Sequence, residues 1–442
     1  SKEEFEAKMT EQKEKARAAR EVVMEKGQDS FIEEFYDRYG ATEFSGYTTL
    51  KDTGKLLSSR DGKDNKKLMI FDVTPFYGES GGQAADIGMT TGNGFEGKVI
   101  DVQKQKGIFI HTVEVLKGTP IEGEEYFLEI DEANRMATAK NHTATHLLHE
   151  ALREVLGSHV QQAGSFVNGE RLRFDFNHYE AMTDEELEKV EELVNEKIAE
   201  AIDVKIANMS MDEAKKAGAT ALFGDKYGDV VRVVSVEGFS IELCGGTHID
   251  NIGKIGLFKI ESEAGIAAGI RRIEAVTGKG AYKVVKDTEM LLKNVEKVVK
   301  SDEANLLDRV EKMVETIKEN SKELEELKSR FTQIEAQALA ENSEIINGVT
   351  VIMKTFKTRT ADDLRKMIDY VKDKMTNTVV VLASSTDKAI FAAGVTKELT
   401  SKVKAGNLVK EAAVITGGNG GGRPDFAQAG GKDVTLRKLW IQ

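Results

Sequence analysis

The sequence predicts a multidomain α+β protein, on three observations. Its 442 residues are too many for a single hydrophobic core. The apolar pattern changes character near residues 41, 133, 283 and 343, from helical charge-rich stretches to short strand-like runs and back. Only three prolines occur, so most of the chain can run in regular elements.

Residues 1–40 read as helix, with Phe5, Met9, Val22, Val23, Phe31 and Phe35 as an apolar minority among charges. The segment opens without an initiator Met in mid-pattern, which reads as the trailing end of a longer protein. Residues 41–132 break into short apolar runs separated by Gly, Asp and Asn, among them Leu68–Phe71, Val99-Ile100 and Ile108–His111. That pattern predicts a small β-barrel-like domain. Residues 133–282 mix helix and strand: an amphipathic helix over 135–156, a second helix entered through the capping box Thr183–Glu186 and running to about Ile202, then strands at Val230–Val234, Gly256–Ile260 and Ile270–Val276. Residues 283–342 read as one long helical arm. Val310, Met313, Ile317, Asn320, Leu324, Leu327, Phe331, Ile334 and Ala338 recur at spacings of three and four, a coiled-coil seam that either self-associates or folds back on residues 284–299. The last hundred residues return to a small α/β domain, with a strand at Val349–Phe356, a helix at Ala361–Met375, a strand at Thr378–Leu382 and a glycine cluster over Gly417–Gly422.

Composition narrows the function classes. No apolar run approaches 18 residues and the first residues lack an apolar leader, so neither a membrane helix nor a signal peptide is predicted. A lone cysteine, Cys244, excludes an intramolecular disulfide and points to the reducing cytoplasm. The net charge of −13 is uneven: residues 343–442 hold 16 Lys+Arg against 10 Asp+Glu, a net of +6, which leaves −19 for residues 1–342. A basic end on an acidic protein suits either a nucleic-acid contact or an ordinary lysine-rich surface.

Three of the seven histidines stand at metal-ligand spacing with the cysteine. His142 and His146 are i and i+4 on one helix face, and Cys244-Gly245-Gly246-Thr247-His248 offers a thiolate and a third imidazole across a glycine turn. Three nitrogens and a sulfur suit Zn2+. A zincin peptidase is excluded because Thr143 stands where its general base would be a Glu. The site is either closed and structural, or catalytic with one position kept for water, His248 then being the loosest ligand.

The runs Asn141–His149, Leu172–Phe176 and Cys244–His248 together resemble the editing domain of alanyl-tRNA synthetase. Thr74–Tyr77 through Gly81-Gly82-Gln83 resembles the glycine-rich loop of the preceding β domain, and Gly420–Asp425 through Gly430-Gly431 resembles the C-terminal domain shared with DHH phosphoesterases. No Asp-His-His triplet occurs, so phosphoesterase activity is not carried over. The resemblance implies a zinc-bearing editing core, an aminoacylation domain lying upstream, and a zinc-dependent ester hydrolase. Its substrates would be Ser-tRNA(Ala) and Gly-tRNA(Ala), products that a small amino-acid pocket cannot reject by binding alone. It implies His142, His146, Cys244 and His248 as metal ligands. Gln162 would be a buried reader of the serine hydroxyl or else a solvated turn residue, and Thr143 and Thr145 are further candidates in the pocket, one of them facing away or bonding back to the helix. Arg173 and Arg272 would be phosphate contacts or strand-surface ion pairs. Gly81-Gly82-Gln83 would bring backbone close to the nucleic acid or form a plain turn. Gly421, Gly422 and Arg423 would touch the tRNA backbone or form a structural turn. The partner implied is tRNA(Ala), with homodimerisation through the arm or the last domain. The rival readings are a non-enzymatic tRNA-binding module with structural zinc, and a free-standing trans-editing protein.

Overall fold

The computed structural model describes residues 28–62, 65–219, 230–385 and 388–432. The chain divides into two compact units, Ser1–Leu292 and Lys293–Gln442.

In the first unit, strands β2 (Lys51–Asp61), β3 (Lys66–Phe71), β5 (Gly88–Gly92), β6 (Phe95–Gln105), β7 (Ile108–Lys117) and β8 (Glu125–Ile130) close a barrel in the order β2-β3-β7-β6-β5-β8. Alternation drives it: along β6, Phe95, Gly97 and Val99 are buried while Glu96 and Lys98 are exposed. Asn93-Gly94 and Lys106-Gly107 are two-residue hairpin loops in which both φ angles are positive, a turn matched to strand twist. Helix α1 (Gln28–Tyr39) seals one side by burying Ile32 and Phe35 against Ile70, Ile108 and Ile110. The rest of the predicted lead-in helix lies outside the described residues. Two short strands, β1 (Glu43–Phe44) and β4 (Val73–Thr74), pair in parallel beside the barrel.

The mixed core follows. Helix α2 (Glu132–Leu156) begins at Asp131, whose side chain accepts from the Asn134 amide, and α3 (Asp184–Ala199) carries the predicted capping box on Thr183 and Glu186. Both bury their apolar faces in one cluster with β9 (Gln162–Val167), β10 (Leu172–Asn177), β14 (Phe258–Ala267) and β15 (Ile270–Thr277), a sheet ordered β14-β15-β10-β9. A second antiparallel sheet joins β11 (Val204–Ser210), β12 (Val230–Val236) and β13 (Ser240–Leu243), with the short helix α4 (Met211–Lys216) between β11 and β12.

The predicted arm is two helices rather than one. Helix α5 (Lys279–Val299) ends before Lys300, which sits at φ 56°, and Asp302 then caps a single 3-10 turn ahead of α6 (Leu306–Glu341). Ser301 and Asp302 favour this break because their side chains compete for backbone hydrogen bonds. Among the described residues the predicted seam is exposed at Ile317, Leu324, Leu327, Phe331 and Ile334. Instead α6 buries Thr332, Ala336 and Leu339. Ala336 and Leu339 join the cluster of α7 (Ala361–Lys374), whose Leu364, Met367 and Ile368 they share, beside a six-stranded sheet. That sheet runs β16 (Glu344–Ile346), β17 (Val349–Phe356), β18 (Thr378–Ser385), β19 (Ala389–Val395), β21 (Phe426–Gly431), β20 (Asn419–Gly422), and helix α8 (Ala405–Ile415) packs on β19 and β21. Among the described residues no helix is long and apolar enough to cross a membrane.

Candidate metal centre

Helix α2 carries His142 and His146 one turn apart with their rings nearly parallel, 5.5 Å between centroids. Beyond β13 the chain turns through Cys244-Gly245-Gly246-Thr247-His248 and brings the His248 ring 4.4 Å from His142 and 5.0 Å from His146. The Cys244 sulfur lies 3.3 Å from His142 Nε2 and 3.3 Å from His248 Nε2. The four ligand atoms lie within 4.8 Å of one another. Gly246 makes this approach possible, since a Cβ there would stand 2.0 Å from the His142 ring.

A layer of polar groups outside the quartet holds each imidazole by Nδ1. Gln83 Oε1 accepts from the Thr247 amide at 2.8 Å, so His142 Nδ1, 2.8 Å from the same oxygen, carries a proton. Thr143 donates its hydroxyl to the Ala139 carbonyl (2.9 Å) and faces His248 Nδ1 at 3.1 Å as acceptor. Glu242 takes His146 Nδ1 at 2.5 Å on one oxygen and His149 Nδ1 at 2.7 Å on the other. All three ligand histidines are therefore held through Nδ1 with Nε2 facing inward, the arrangement a metal requires. His146 Nε2 is buried without a hydrogen-bond partner, as a nitrogen reserved for an ion would be. Nitrogen and sulfur ligands on one tetrahedral zinc stand about 3.5 Å apart; the donor set fits Zn2+, and the two sulfur–nitrogen distances of 3.3 Å lie close to that spacing.

The quartet borders a cavity of about 220 Å³. His142, His146 and Cys244 line it, whereas His248 lines a second cavity of about 240 Å³. Thr143 holds His248 through Nδ1, as Gln83 holds His142 and Glu242 holds His146.

Comparison with known proteins fits this geometry. Residues 231–274 match the model for the threonyl and alanyl tRNA synthetase second additional domain, residues 1–134 that for class II (A) tRNA synthetases, and residues 348–439 the DHHA1 domain. The alanine–tRNA ligase of Fusobacterium nucleatum is 64% identical over 431 residues, covering 98% of this chain and 50% of the relative. Those of Bacillus anthracis (48%, 97% of this chain, 50% of the relative) and Carboxydothermus hydrogenoformans (46%, 99% and 51%) align similarly. The chain belongs to the alanyl-tRNA synthetase family. It corresponds to the C-terminal portion and spans about half the length of the curated relatives it matches. A solved C-Ala domain of Aquifex aeolicus alanyl-tRNA synthetase is 32% identical over 22% of this chain and 89% of its own, with a TM-score of 0.21.

Within this family member, burial and charge act against each other at the centre. Burial raises the Cys244 thiol pKa, but the surrounding imidazoles His142, His248 and His146 outweigh it and hold the thiol well below its ordinary value. Burial also lowers His146, yet the charges of Glu242 and Cys244 lift it to about 10. Glu242 is held down at about 2, burial notwithstanding, by His146 and His149. His248 is depressed to about 3, mainly by burial. A thiolate and a locked carboxylate thus make the site a cation receptor.

Other residues singled out by sequence fall variously. Thr145 lines the cavity, bonding back to the Asn141 carbonyl at 2.9 Å; Thr143 faces away from it and serves His248. Gln162 lines the cavity but is half-buried rather than buried, its amide nitrogen 3.2 Å from Ser165 Oγ. Arg272 is held by Asp175 through two hydrogen bonds of 2.7 and 2.8 Å, and Arg173 lies 3.8 Å from the same carboxylate, over the Phe166 ring. Both thus lie beside the Asp175 carboxylate. Gly421 and Gly422 lie on β20, where a Cβ at Gly422 would strike Ala427, and exposed Arg423 lies 3.2 Å from Asp425.

Sequence reading missed Gln83 and Glu242. Gly81 and Gly82, at φ 59° and 87°, turn the loop so that Gln83 is fully buried, and Gly82 packs where a Cβ would stand 2.5 Å from Ser165 Oγ. The loop is stitched to β9 by hydrogen bonds from the Ala84 amide to Val167 (2.8 Å) and from the Val167 amide to Gly82 (2.7 Å). Glu242 carried a legible signal: two residues before Cys244 on a strand, it shares that residue's face.

Proposed function

We propose that this chain hydrolyses the ester of mischarged Ser-tRNA(Ala) and Gly-tRNA(Ala), with Zn2+ held by His142, His146, Cys244 and His248. The observation that carries this is the cavity: three of the four residues that would hold an ion form its wall, so the ion's chemistry would be within reach of a substrate there, which a purely structural site lacks a reason to keep. A zinc ion supplies Lewis acidity toward an ester carbonyl or a water. The chain's own residues do the rest. Gln83, Glu242 and Thr143 fix the ligand tautomers. Gln162 Oε1 has no hydrogen bond among the described residues and is available to accept from a seryl hydroxyl. An alanyl ester would leave that oxygen without the partner, which is the direction in which the cognate ester should be spared.

The partner is tRNA(Ala). The exposed apolar seam of α6 and the basic last hundred residues support a second copy and a tRNA backbone contact respectively. The test is deacylation of Ser-tRNA(Ala) by the wild type and by Cys244→Ala. Loss of at least about a hundredfold in rate is expected, and equal rates overturn the reading. Chelation separates it from a non-enzymatic module: hydrolysis should cease while the core stays folded, whereas unfolding of the core on metal removal favours structural zinc.

A further inference from the structure

We propose that the barrel supplies a phosphate subsite to this cavity, with Lys104 on β6 binding the 5′ phosphate of the nucleotide whose 3′ ester is cleaved. The inference rests on the ester-hydrolase reading and names a residue that neither the sequence pattern nor the comparisons single out.

The cavity has two walls. The core provides the metal ligands and Gln162; the barrel domain provides Tyr47, Tyr77, Ser80 and Lys104. The walls are fastened to each other. Tyr47 donates its hydroxyl to the Gly245 carbonyl at 2.6 Å, Gln83 Nε2 donates to Thr247 at 2.9 Å, and buried Arg135 of α2 grips Asp86 and the Gly46 and Pro75 carbonyls of the barrel segment. Lys104 is exposed on β6 and reaches the cavity from this fastened wall.

Lys104 is the only Lys or Arg among the cavity-lining residues, and it makes no ion pair among the described residues. That separates it from its neighbours. Lys51 is paired with Glu129, Lys67 with Asp61 and Lys106 with Glu33 on the same barrel. Near the centre, Arg272 is consumed by Asp175, Arg135 by Asp86, and Arg232 donates to the Cys244 and Gly246 carbonyls at 2.8 and 2.9 Å. The Lys104 ammonium rests 5.1 Å from the centroid of Phe109, a ring stacked in turn on Phe44. A cation parked over an aromatic face beside a polar cavity is available to an incoming anion. The aminoacyl group itself brings an ammonium, which Lys104 repels. The terminal nucleotide brings its phosphate one ribose away from the ester, and a lysine reads it as a point charge.

The test compares two minimal substrates with the full chain, 3′-O-seryl-adenosine and 3′-O-seryl-adenosine 5′-monophosphate. Wild type should favour the phosphorylated ester about tenfold in kcat/KM, chiefly through KM, as one charge-assisted contact allows. Lys104→Gln should collapse that preference to near parity, Lys104→Arg should keep most of it, and the salt dependence of kcat/KM on tRNA should shallow by about one charge. An undiminished preference in Lys104→Gln, or no preference in wild type, overturns the proposal. If wild type cleaves neither ester and leaves Ser-tRNA(Ala) intact as well, the hydrolase reading fails. Binding of the uncleavable 3′-seryl amide of 3′-amino-3′-deoxyadenosine, with and without 5′ phosphate, then decides the subsite. Tighter binding of the phosphorylated form by wild type but not by Lys104→Gln upholds it, and equal binding overturns it.

Discussion

Replacing Glu242 by Gln changes almost nothing in volume and should still weaken the metal centre severely. The carboxylate is 3% exposed and accepts two hydrogen bonds, from His146 Nδ1 at 2.5 Å and His149 Nδ1 at 2.7 Å. An amide offers one acceptor oxygen and one donor nitrogen. Whichever way it is placed, one histidine meets an N–H where it needs an acceptor, and that ring must surrender its Nδ1 proton to Nε2. If the ring is His146, a proton lands on the nitrogen that faces the ion. If it is His149, its Nε2, already buried without a partner, gains a proton with nothing to accept it. Loss of a charge-assisted hydrogen bond is worth about 1.5–3 kcal/mol, which corresponds to the roughly 10–100-fold fall in metal affinity usual for a lost outer partner. The assay is competition for Zn2+ against a chromophoric chelator, with near-ultraviolet circular dichroism to show that the fold survives. An affinity within twofold of wild type would refute the tautomer argument.

Three further outcomes follow from the same geometry. Gln83→Ala removes the acceptor of His142 Nδ1 and the barrel's bond to Thr247 together, so zinc affinity should fall about tenfold or more in the same competition assay; an unchanged value would separate Gln83 from the centre. Arg135→Met leaves the Asp86 carboxylate buried without its cation, and the thermal midpoint should drop by the equivalent of about 3–5 kcal/mol; a shift of under 1 kcal/mol would contradict the pairing. His111, inside the barrel between Phe71 and Phe76, is depressed to about 4 by burial. Its pKa in the unfolded chain is higher, so its contribution is intact above about pH 6.5 and is lost as the pH falls toward 4, by about 3 kcal/mol in all. Urea midpoints measured from pH 7 to 4.5 should decline less in His111→Gln than in wild type, and identical declines would rule His111 out as the cause.

What the sequence could reveal depended on how far apart the cooperating residues lie. The quartet was legible because helical spacing puts His142 above His146 and a glycine turn puts Cys244 beside His248, both local rules. Barrel, core and sheet were legible as changes of period. Gln83 was not, since its partner is 59 residues away and only the closed fold shows which ring it holds; the place of Glu242 beside Cys244 was legible, but its partner, 96 residues away, was not. The same limit hid the fate of Arg272. Its register opposite Asp175 in an antiparallel pair decides that it is neutralised, and register is set by packing rather than by the strand's own letters. The break between α5 and α6 falls at Ser301-Asp302, ahead of the seam that begins at Val310, where the alternative of a fold-back on residues 284–299 requires one.

The position of Gln83 carries a consequence for how the first unit holds together. The metal ligands all belong to the core, yet one of them is oriented by a barrel residue that simultaneously bonds the Thr247 amide and hydroxyl inside the ligand loop. Tyr47 closes the same loop from the barrel side through Gly245, with Arg232 over its ring at 4.4 Å. An ion that fixes the loop therefore fixes the surface on which the barrel docks, and the docked barrel in turn fixes His142 for the ion. The two equilibria are linked, so zinc that binds the assembled unit more tightly than the separated parts must stabilise the barrel–core junction by the same free energy. Hydrogen exchange at the Gly82–Ala84 and Val167 amides, which form that junction, should slow on zinc addition by about the factor by which Gln83→Ala weakens zinc binding. Exchange there that ignores zinc while the ligand loop becomes protected would mean that the barrel and the centre are neighbours without coupling.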